Sequence, residues 1–202
     1  MAALLLYSIG QQNYELVRDR IASILKTEMD AQATRQTNTD LTGTFFIERY
    51  TPPSESEGNV ICVNCEQCQY DNQTPVSQSN EVQYAIDIFC DSSQIGAVDG
   101  YELSGKKLAR LAGLVRAILQ SPVYDRLLFA NGIVERRSVT NIRFARISDE
   151  QDSHFVRMAR VVLVVRVNET VPGISGISAE GYDSSMKIEL TNKGYKLTYN
   201  NE

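Results

Sequence analysis

Three of the four cysteines lie close together in the pattern Cys62-x-x-Cys65-x-x-Cys68, and the fourth is Cys90. Thiolates at this spacing suit zinc or an iron–sulfur cluster, because neighbouring ligands can point into one cavity. The second C-x-x-C pair that usually completes such a site is missing from the sequence. Buried apolar thiols, or disulfides inside an assembled particle, explain the same pattern. A structural metal on these four cysteines is therefore one of three interpretations, and no other cofactor is expected.

The residues that nucleophilic catalysis needs are almost absent. The chain has a single histidine, His154, which Asp152 and Ser153 directly precede. A hydrolytic triad needs its members to converge, whereas sequence neighbours along a strand point to opposite faces. Neither of the glycine-rich phosphate loops, G-x-x-x-x-G-K-[ST] and G-x-G-x-x-G, occurs in the sequence. We therefore expect no enzyme activity, and a surface or interface position for His154.

Length and composition are typical of one folded domain, or of a domain with an appendage. The chain has 202 residues, and 43% of them are hydrophobic, which is enough to bury a core. No apolar run approaches the roughly 18 residues that span a bilayer. Residues 2–7 are apolar but lack the basic lead of a signal peptide. These features predict a soluble chain of the cytosol with no membrane partner.

The net charge of −5 is unevenly distributed. Residues 1–101 contain 5 basic and 14 acidic side chains, whereas residues 102–166 contain 12 basic and 6 acidic ones. Such segregation fits two solvated faces, contact between opposite charges of neighbouring copies, or binding of nucleic acid by the basic segment. The basic stripe has no interleaved aromatic residues for base stacking, which favours a solvated or intersubunit face. Its members are Lys106, Lys107, Arg110 and Arg116.

Two helices are predicted from apolar residues at helical spacing. The first covers about residues 13–31, and Asn13 is its expected N-cap. The second covers about residues 102–120 and ends before Pro122, whose ring cannot continue a helix. Residues 123–129 are expected to add one more helical turn.

Five strands are predicted at residues 43–50, 59–63, 82–90, 133–147 and 155–167. Imperfect alternation in the fourth predicts a β-bulge, and the run VVLVVRV in the fifth predicts a central strand covered on both faces. Residues 51–80 are expected to form a loop that contains the cysteines, with residues 66–79 exposed. The aspartates around the end of the third strand are expected to be solvated or to cap backbone groups; they are Asp87, Asp91 and Asp99.

The last part of the chain, residues 173–202, differs from the rest. A Gly/Ser-rich stretch precedes two alternating segments, 186–190 and 195–199, which predict a β-hairpin. A hairpin alone is marginally stable, so we expect a contact arm that packs on its own domain or on a neighbour. The predicted fold is therefore α+β, with one domain over residues 1–172. It consists of a largely antiparallel sheet flanked by an N-terminal helix and a long central helix.

Several segments resemble one family. The phrase ELSGKKLARLAGLVRAIL at residues 102–119 is followed by SPVYDRLLF, RRSVTNI and QDSHFVRMARVVLVVRVNETVP. Together they resemble the tail terminator, or tail completion, proteins of contractile-tailed bacteriophages. YELVRDRIASILKTEM is similar to the first helix of that family. The resemblance covers about residues 13–172, with gaps over the cysteine loop and no counterpart for the chain after Gly173.

The resemblance implies a structural virion protein with no catalytic residues. Terminators form a homohexameric ring at the head-proximal end of the tail, in the neck of the virion. The ring ends polymerisation of the tail tube and sheath and joins the tail to the head connector or stopper. Phage DNA passes through the lumen without sequence-specific binding, and assembly takes place in the host cytoplasm. We expect the ring interface to use the long helix and the paired long strands, with four arginines facing acidic groups of an adjacent subunit: Arg110, Arg116, Arg157 and Arg160.

Two alternatives stay open. The first is another neck component, such as a stopper or connector ring, which would share the architecture. The second is a small metal- or nucleic-acid-binding regulator built on the cysteines and the basic segment. A nucleic-acid binder would lose affinity steeply as salt rises.

Overall fold

The computed structural model describes residues 11–49, 58–70, 77–90, 100–129, 132–146, 157–170, 187–191 and 194–198. Residues 11–169 form one compact unit, which contains both helices and the main sheet. The described residues of 187–198 form a separate hairpin. Neither helix of this described part is long and apolar enough to cross a membrane.

The helices are α1, Asn13–Gln36, and α2, Gly100–Gln120, and short 3₁₀ helices cover Thr39–Leu41 and Pro122–Tyr124. The strands of the main sheet are β1 (Thr44–Ile47), β2 (Val60–Tyr70), β3 (Ser77–Cys90), β4 (Val134–Arg146) and β5 (Arg157–Thr170).

The sheet has the order β1-β2-β3-β5-β4. Strand β1 is parallel to β2, while the pairs β2–β3 and β4–β5 are antiparallel. The predicted α+β class, with a mostly antiparallel sheet, an N-terminal helix and a second long helix, is confirmed. Strand β5 lies inside the sheet, between β3 and β4, and β4 is an edge strand of the described sheet.

Helix α1 forms because its apolar residues recur along one side. Val17, Ile21, Leu25 and Met29 follow one another at four-residue spacing, and all four are buried. Glu15 accepts a hydrogen bond from the backbone N–H of Gln12 at 2.9 Å. The N-cap is therefore Gln12 and not Asn13. The helix also runs five residues further than expected, to Gln36.

The start of α1 is held by a residue from the C-terminal end of the same compact unit. The buried carboxylate of Glu169 in β5 accepts hydrogen bonds from the backbone N–H groups of Asn13, at 3.0 Å, and Tyr14, at 2.7 Å. Helix N-termini leave such donors without partners, so an acceptor here satisfies them and complements the helix dipole. Burial raises the pKa of Glu169, although the two backbone hydrogen bonds act in the opposite direction.

Both helices pack on the same face of the sheet. The main core joins Ile21 of α1 and Leu111 of α2 to Ile86 of β3 and Leu163 of β5. We call the opposite face the far face. There a smaller apolar cluster is formed by Val60, Cys62 and Phe89, with Phe46 and Met158 packed against it.

The run VVLVVRV predicted that both faces of β5 are apolar, but only the face toward the helices is. Val161, Leu163 and Val165 are buried on the helix side. On the far face, Arg160 and Arg166 are half-buried with polar partners. Of the run, only Val162 is fully covered on the far face.

The predicted cysteine loop is wrong over much of its length. Strand β2 continues to Tyr70, and β3 begins at Ser77. The partner residues Gln67 and Gln83 are polar, but the next pair, Cys68 and Val82, packs into the core. The strands thus alternate with a period of two, which the polar composition concealed.

The expected bulge in the fourth strand is confirmed, because the β4–β5 register shifts between Val134 and Arg136 and again between Val139 and Asn141. The C-terminal segment forms β6 (Lys187–Thr191) paired antiparallel with β7 (Gly194–Thr198), which matches the predicted hairpin. Its use as a contact arm stays a prediction. The predicted boundary at residues 172–173 lies outside the described residues, as do Asp152, Ser153 and His154.

Helix α2 offers a direct test of its exposed side. Gly113 is exposed, and a Cβ there would meet no described atom within 4 Å. Alanine is about 1 kcal/mol more favourable than glycine inside a helix. We expect Gly113→Ala to raise the free energy of unfolding by about 1 kcal/mol, as measured by urea denaturation.

Gly105 provides the control for that substitution. A Cβ at Gly105 would lie 2.0 Å from Nη1 of Arg157, so that the guanidinium would have to move. Gly105→Ala should therefore yield a smaller gain, or a loss. Equal effects of the two substitutions would contradict this placement of Arg157.

Candidate functional site

The four cysteines do not converge. Cys62 belongs to the apolar cluster of the far face, whereas Cys65, Cys68 and Cys90 pack with the core on the helix side. The register shift between Cys65 and Gln67 is what places both Cys65 and Cys68 on that side. None of the four cysteines forms a disulfide. Among the described residues, no group of three or more His, Cys, Asp or Glu side chains is placed to hold a metal ion.

The environment of the two half-buried thiols favours the protonated form. Burial raises the pKa of Cys65 to about 11, and the nearby carboxylate of Glu48 adds to the shift. Burial also raises the pKa of Cys68. The thiolate is the form that attacks electrophiles and binds metals. These cysteines therefore resemble structural thiols more than ligands or nucleophiles, and a structural zinc or iron–sulfur site stays a prediction.

Alkylation tests this assignment. The shift for Cys65 from 9.0 to about 11 lowers the thiolate fraction at pH 8 about 100-fold. We expect iodoacetamide to modify Cys65 in the folded chain about 100-fold more slowly than in the urea-unfolded chain. The rate in the folded chain should keep rising up to about pH 11, as followed by peptide mass spectrometry. A plateau near pH 9 would show an ordinary thiol.

An ion pair between half-buried Arg160 and buried Asp87 lies on the far face between β3 and β5. The guanidinium of Arg160 donates from Nε to Oδ1 of Asp87 at 2.6 Å and from Nη2 to Oδ2 at 2.8 Å. It also donates to the carboxylate of Glu66. The hydrogen bonds to Asp87 raise the pKa of Arg160. Asn64 donates to Oδ2 of Asp87 at 3.3 Å, so one carboxylate is held by two neighbouring strands.

This pair corrects the expectation for Asp87, whose side chain is only 5% exposed and is neither solvated nor a cap. Asp91 and Asp99 lie outside the described residues. The pairing also shows that β3 and β5 run in opposite directions, because Arg166, further along β5, bonds Ser79 near the start of β3.

The four arginines of the predicted interface do not form one surface. Arg110 and Arg116 are exposed on α2, where Arg116 bonds Gln120 and Arg110 makes no hydrogen bond or ion pair within the described chain. Arg157 packs against Gly105 on the helix side. Arg160 is engaged on the far face by the ion pair. Contact of these residues with a neighbouring subunit stays a prediction, and Arg110 and Arg116 are the two that remain accessible for it.

The sequence predicted one more helical turn after α2 but marked no site residue there. Residues 121–129 begin with the 3₁₀ helix, as part of the extra turn that was expected, and then leave helical geometry. Two large apolar side chains of this 121–129 loop face outward: Val123 is 74% exposed and Leu128 is 56% exposed. Between them, Leu127 is fully buried in the core.

Arg137 of β4 holds the 121–129 loop in place. Its Nε donates to the carbonyl oxygens of Tyr124, at 2.6 Å, and Asp125, at 3.1 Å. Its Nη2 donates to the carbonyl oxygen of Ser121 at 2.6 Å. The hydroxyl of Tyr124 bonds the carboxylate of Glu28 on α1. The loop is therefore fixed from helix α1 and from the edge strand.

The backbone of the loop is strained. Leu127 has φ 49° and Leu128 has φ 61°, both in the left-handed region. That conformation costs a residue with a Cβ roughly 1–2 kcal/mol. Strain of this kind persists only where the surroundings impose it, and it is concentrated at functional sites. The sequence does not predict this left-handed backbone, because leucine rarely adopts a positive φ.

A cleft of about 580 Å³ adjoins the loop. Its lining comes from the end of α2, the 121–129 loop and β4: Gln120, Pro122, Asp125, Arg137, Ser138 and Val139. Exposed apolar side chains, an open cleft and the edge strand thus form one continuous surface.

Comparison with known proteins finds similarity to solved structures only. No protein-family model matches the chain, and no curated protein matches it. Among solved structures, the chain is similar to one from a structure described as "Virion of native gene transfer agent (GTA) particle", with 15% sequence identity and a TM-score of 0.46. The match covers 75% of this chain and 93% of that chain. At this identity, the likeness concerns the path of the backbone and assigns no role to the chain.

Proposed function

We propose that the chain is a structural virion protein, and specifically a tail terminator. Identical copies close into a homohexameric ring at the head-proximal end of a phage tail. The ring ends polymerisation of the tail tube and sheath and joins the tail to the head connector or stopper. The chain acts by its shape and catalyses no reaction.

The observation that carries the proposal is how the family-like segments are arranged in space. Residues 102–119, 121–129, 136–142 and 151–172 resemble the terminator family, and their described parts form α2, the 121–129 loop, β4 and β5. Helix α2 packs against β4, and Arg137 ties β4 to the loop. The segments that resemble the family therefore make up one side of the domain.

That side has the properties of an assembly surface. It exposes Val123 and Leu128, carries Arg110 and Arg116, and includes an edge strand. An edge strand presents unpaired backbone groups that can pair with another chain. The charge imbalance between residues 1–101 and 102–166 lets one surface of a subunit attract a different surface of the next. Contacts between unlike surfaces generate closed rings when the rotation between subunits closes.

The similar chain of the gene transfer agent also comes from a virion particle, although the residues quoted above, and not that likeness, carry the proposal. A stopper or connector ring would share every property named so far. The two neck roles differ in what they touch, because a terminator contacts the last ring of the tail tube and a stopper contacts the portal-side adaptor.

Location in the particle tests the proposal. Immunogold labelling of whole virions, with antibodies raised against the purified chain, should place the label at the junction of head and tail. In tails detached from heads, the label should stay at the end where the tail tube stops. Label that remains on the heads would favour a stopper or connector ring. The absence of label from virions and tails would overturn the structural role.

A further inference from the structure

We infer that the 121–129 loop, with the adjoining edge of β4, is one half of the contact between neighbouring copies of this chain. This inference rests on the proposed ring and goes further, since it names the surface that closes the ring and the residues that do so.

The first reason is that the exposed apolar side chains are rigidly presented. Val123 and Leu128 stand in solvent, yet the backbone beneath them is held by three hydrogen bonds from Arg137. Leu127 is buried in the core, and the ring of Phe129 lies 5.2 Å from the guanidinium carbon of Arg20. A fixed apolar projection loses little conformational freedom when it is covered, which favours a binding role.

The second reason is the left-handed backbone at Leu128. Glycine or asparagine would meet this conformation with less strain. Because Leu128 is exposed, its side chain gives little to the core in return for that strain. An outward leucine on a strained backbone is explained if the side chain is buried in the assembly.

The third reason is the continuity of the surface. The cleft beside the loop is lined by Arg137, Ser138 and Val139 of β4, and β4 pairs only with β5 in the described sheet. A partner that covers Val123 and Leu128 therefore also reaches the cleft and the free edge of the sheet.

Charge complementarity supports a second copy of this chain as the partner. Arg126 in the loop and Arg110 on α2 are exposed and make no ion pair within the described chain. The chain itself is acidic, with a net charge of −5, and residues 1–101 carry 14 acidic and 5 basic side chains. Within one copy, Asp40, Glu81 and Asp87 of this acidic part are already paired with basic residues of 102–166. The contact is thus between unlike surfaces, the loop and β4 edge of one copy and a surface from the acidic part of the next.

The test compares wild type with Leu128→Asn and Leu128→Met. Asparagine accepts the left-handed backbone but removes the apolar contact, whereas methionine keeps an apolar side chain of similar volume. We expect Leu128→Asn to raise the concentration of half-assembly at least about tenfold in analytical ultracentrifugation. Leu128→Met should stay within about threefold of wild type. The urea midpoint of the dilute Leu128→Asn monomer should be unchanged or higher than that of wild type.

Val123→Asn provides an independent variant. Val123 is the most exposed large apolar side chain of the loop, so its replacement should leave folding intact and weaken assembly in the same direction. If wild type forms rings and both asparagine variants form them equally well, this assignment of the contact is overturned while the proposed function stands. A wild type that stays monomeric would overturn the proposed function itself.

Discussion

Replacement of Arg160 with alanine will lower the free energy of unfolding by about 2–3 kcal/mol, because the carboxylate of Asp87 is buried while the side chain of Arg160 is one-third exposed. The substitution leaves the carboxylate of Asp87 buried, with Asn64 as its remaining described side-chain partner. A buried charge that loses its partner keeps its full desolvation penalty, which is why removal of one member of such a pair is strongly destabilising. Urea denaturation followed by circular dichroism measures the effect.

The matched control removes both charges at once. In the double variant Arg160→Met with Asp87→Leu, no buried charge is left unpaired, and most of the lost stability should return. A double-mutant cycle on the two positions should therefore give a large coupling energy. If Arg160→Ala alone lowers stability by less than about 1 kcal/mol, which is typical of a surface ion pair, the pairing of Arg160 with a buried Asp87 carboxylate is wrong.

Charge reversal on α2 is the second large effect. The double variant Arg110→Glu and Arg116→Glu should dissociate the proposed hexamers without unfolding the subunit. Both side chains are exposed, so folding does not depend on them, whereas like charges placed across an interface repel strongly. Sedimentation velocity should show the main boundary move from the ring to the single subunit. Circular dichroism should show the helical signal unchanged.

The corresponding lysine variant keeps the sign of the charge. Arg110→Lys with Arg116→Lys should therefore assemble nearly as wild type does, with a modest loss if either guanidinium bonds a carboxylate bidentately. Reversed variants that keep the wild-type sedimentation profile would show that these arginines lie outside the interface. That result would not test the contact proposed at the 121–129 loop, which the Leu128 and Val123 variants test separately.

Local patterns were enough to predict the helices and the sheet class. Helix α2 is marked by Leu108, Leu111, Val115 and Leu119, which are buried at the spacing that the sequence displays. Pro122 ends the helix because its ring clashes with the preceding turn and it has no backbone N–H to donate. Such features need no knowledge of distant residues, and the structure agrees with them to within two residues for α2.

The strands around the cysteines could not be predicted in the same way. The second half of β2 is rich in Gln and Cys, and its alternation is broken by the bulge between Cys65 and Gln67. It is a strand because β3 pairs with it over its whole length, and pairing is a property of two segments. Cys62 and Cys65 lie on opposite faces because they are an odd number of positions apart in the strand. Cys68 joins Cys65 on the helix side only because of the bulge, which the spacing of the motif does not predict.

The most informative polar contacts join distant parts of the chain. Asp87 and Arg160 are 73 positions apart, and Glu169 binds the start of α1 across 155 and 156 positions. From its sequence neighbours alone, each of these charged residues would be predicted to be exposed to solvent. The outward Leu128 is hidden for another reason, since its exposure follows from a backbone conformation that leucine rarely adopts.

Native mass spectrometry of the purified 202-residue chain tests the central claim most directly. We predict a dominant species at six times the 22.6 kDa mass of the chain, which dissociates to single subunits when the ring is disrupted. A single subunit that persists as the only species at concentrations far above those of assembly would contradict the account of this chain as a ring-forming structural protein.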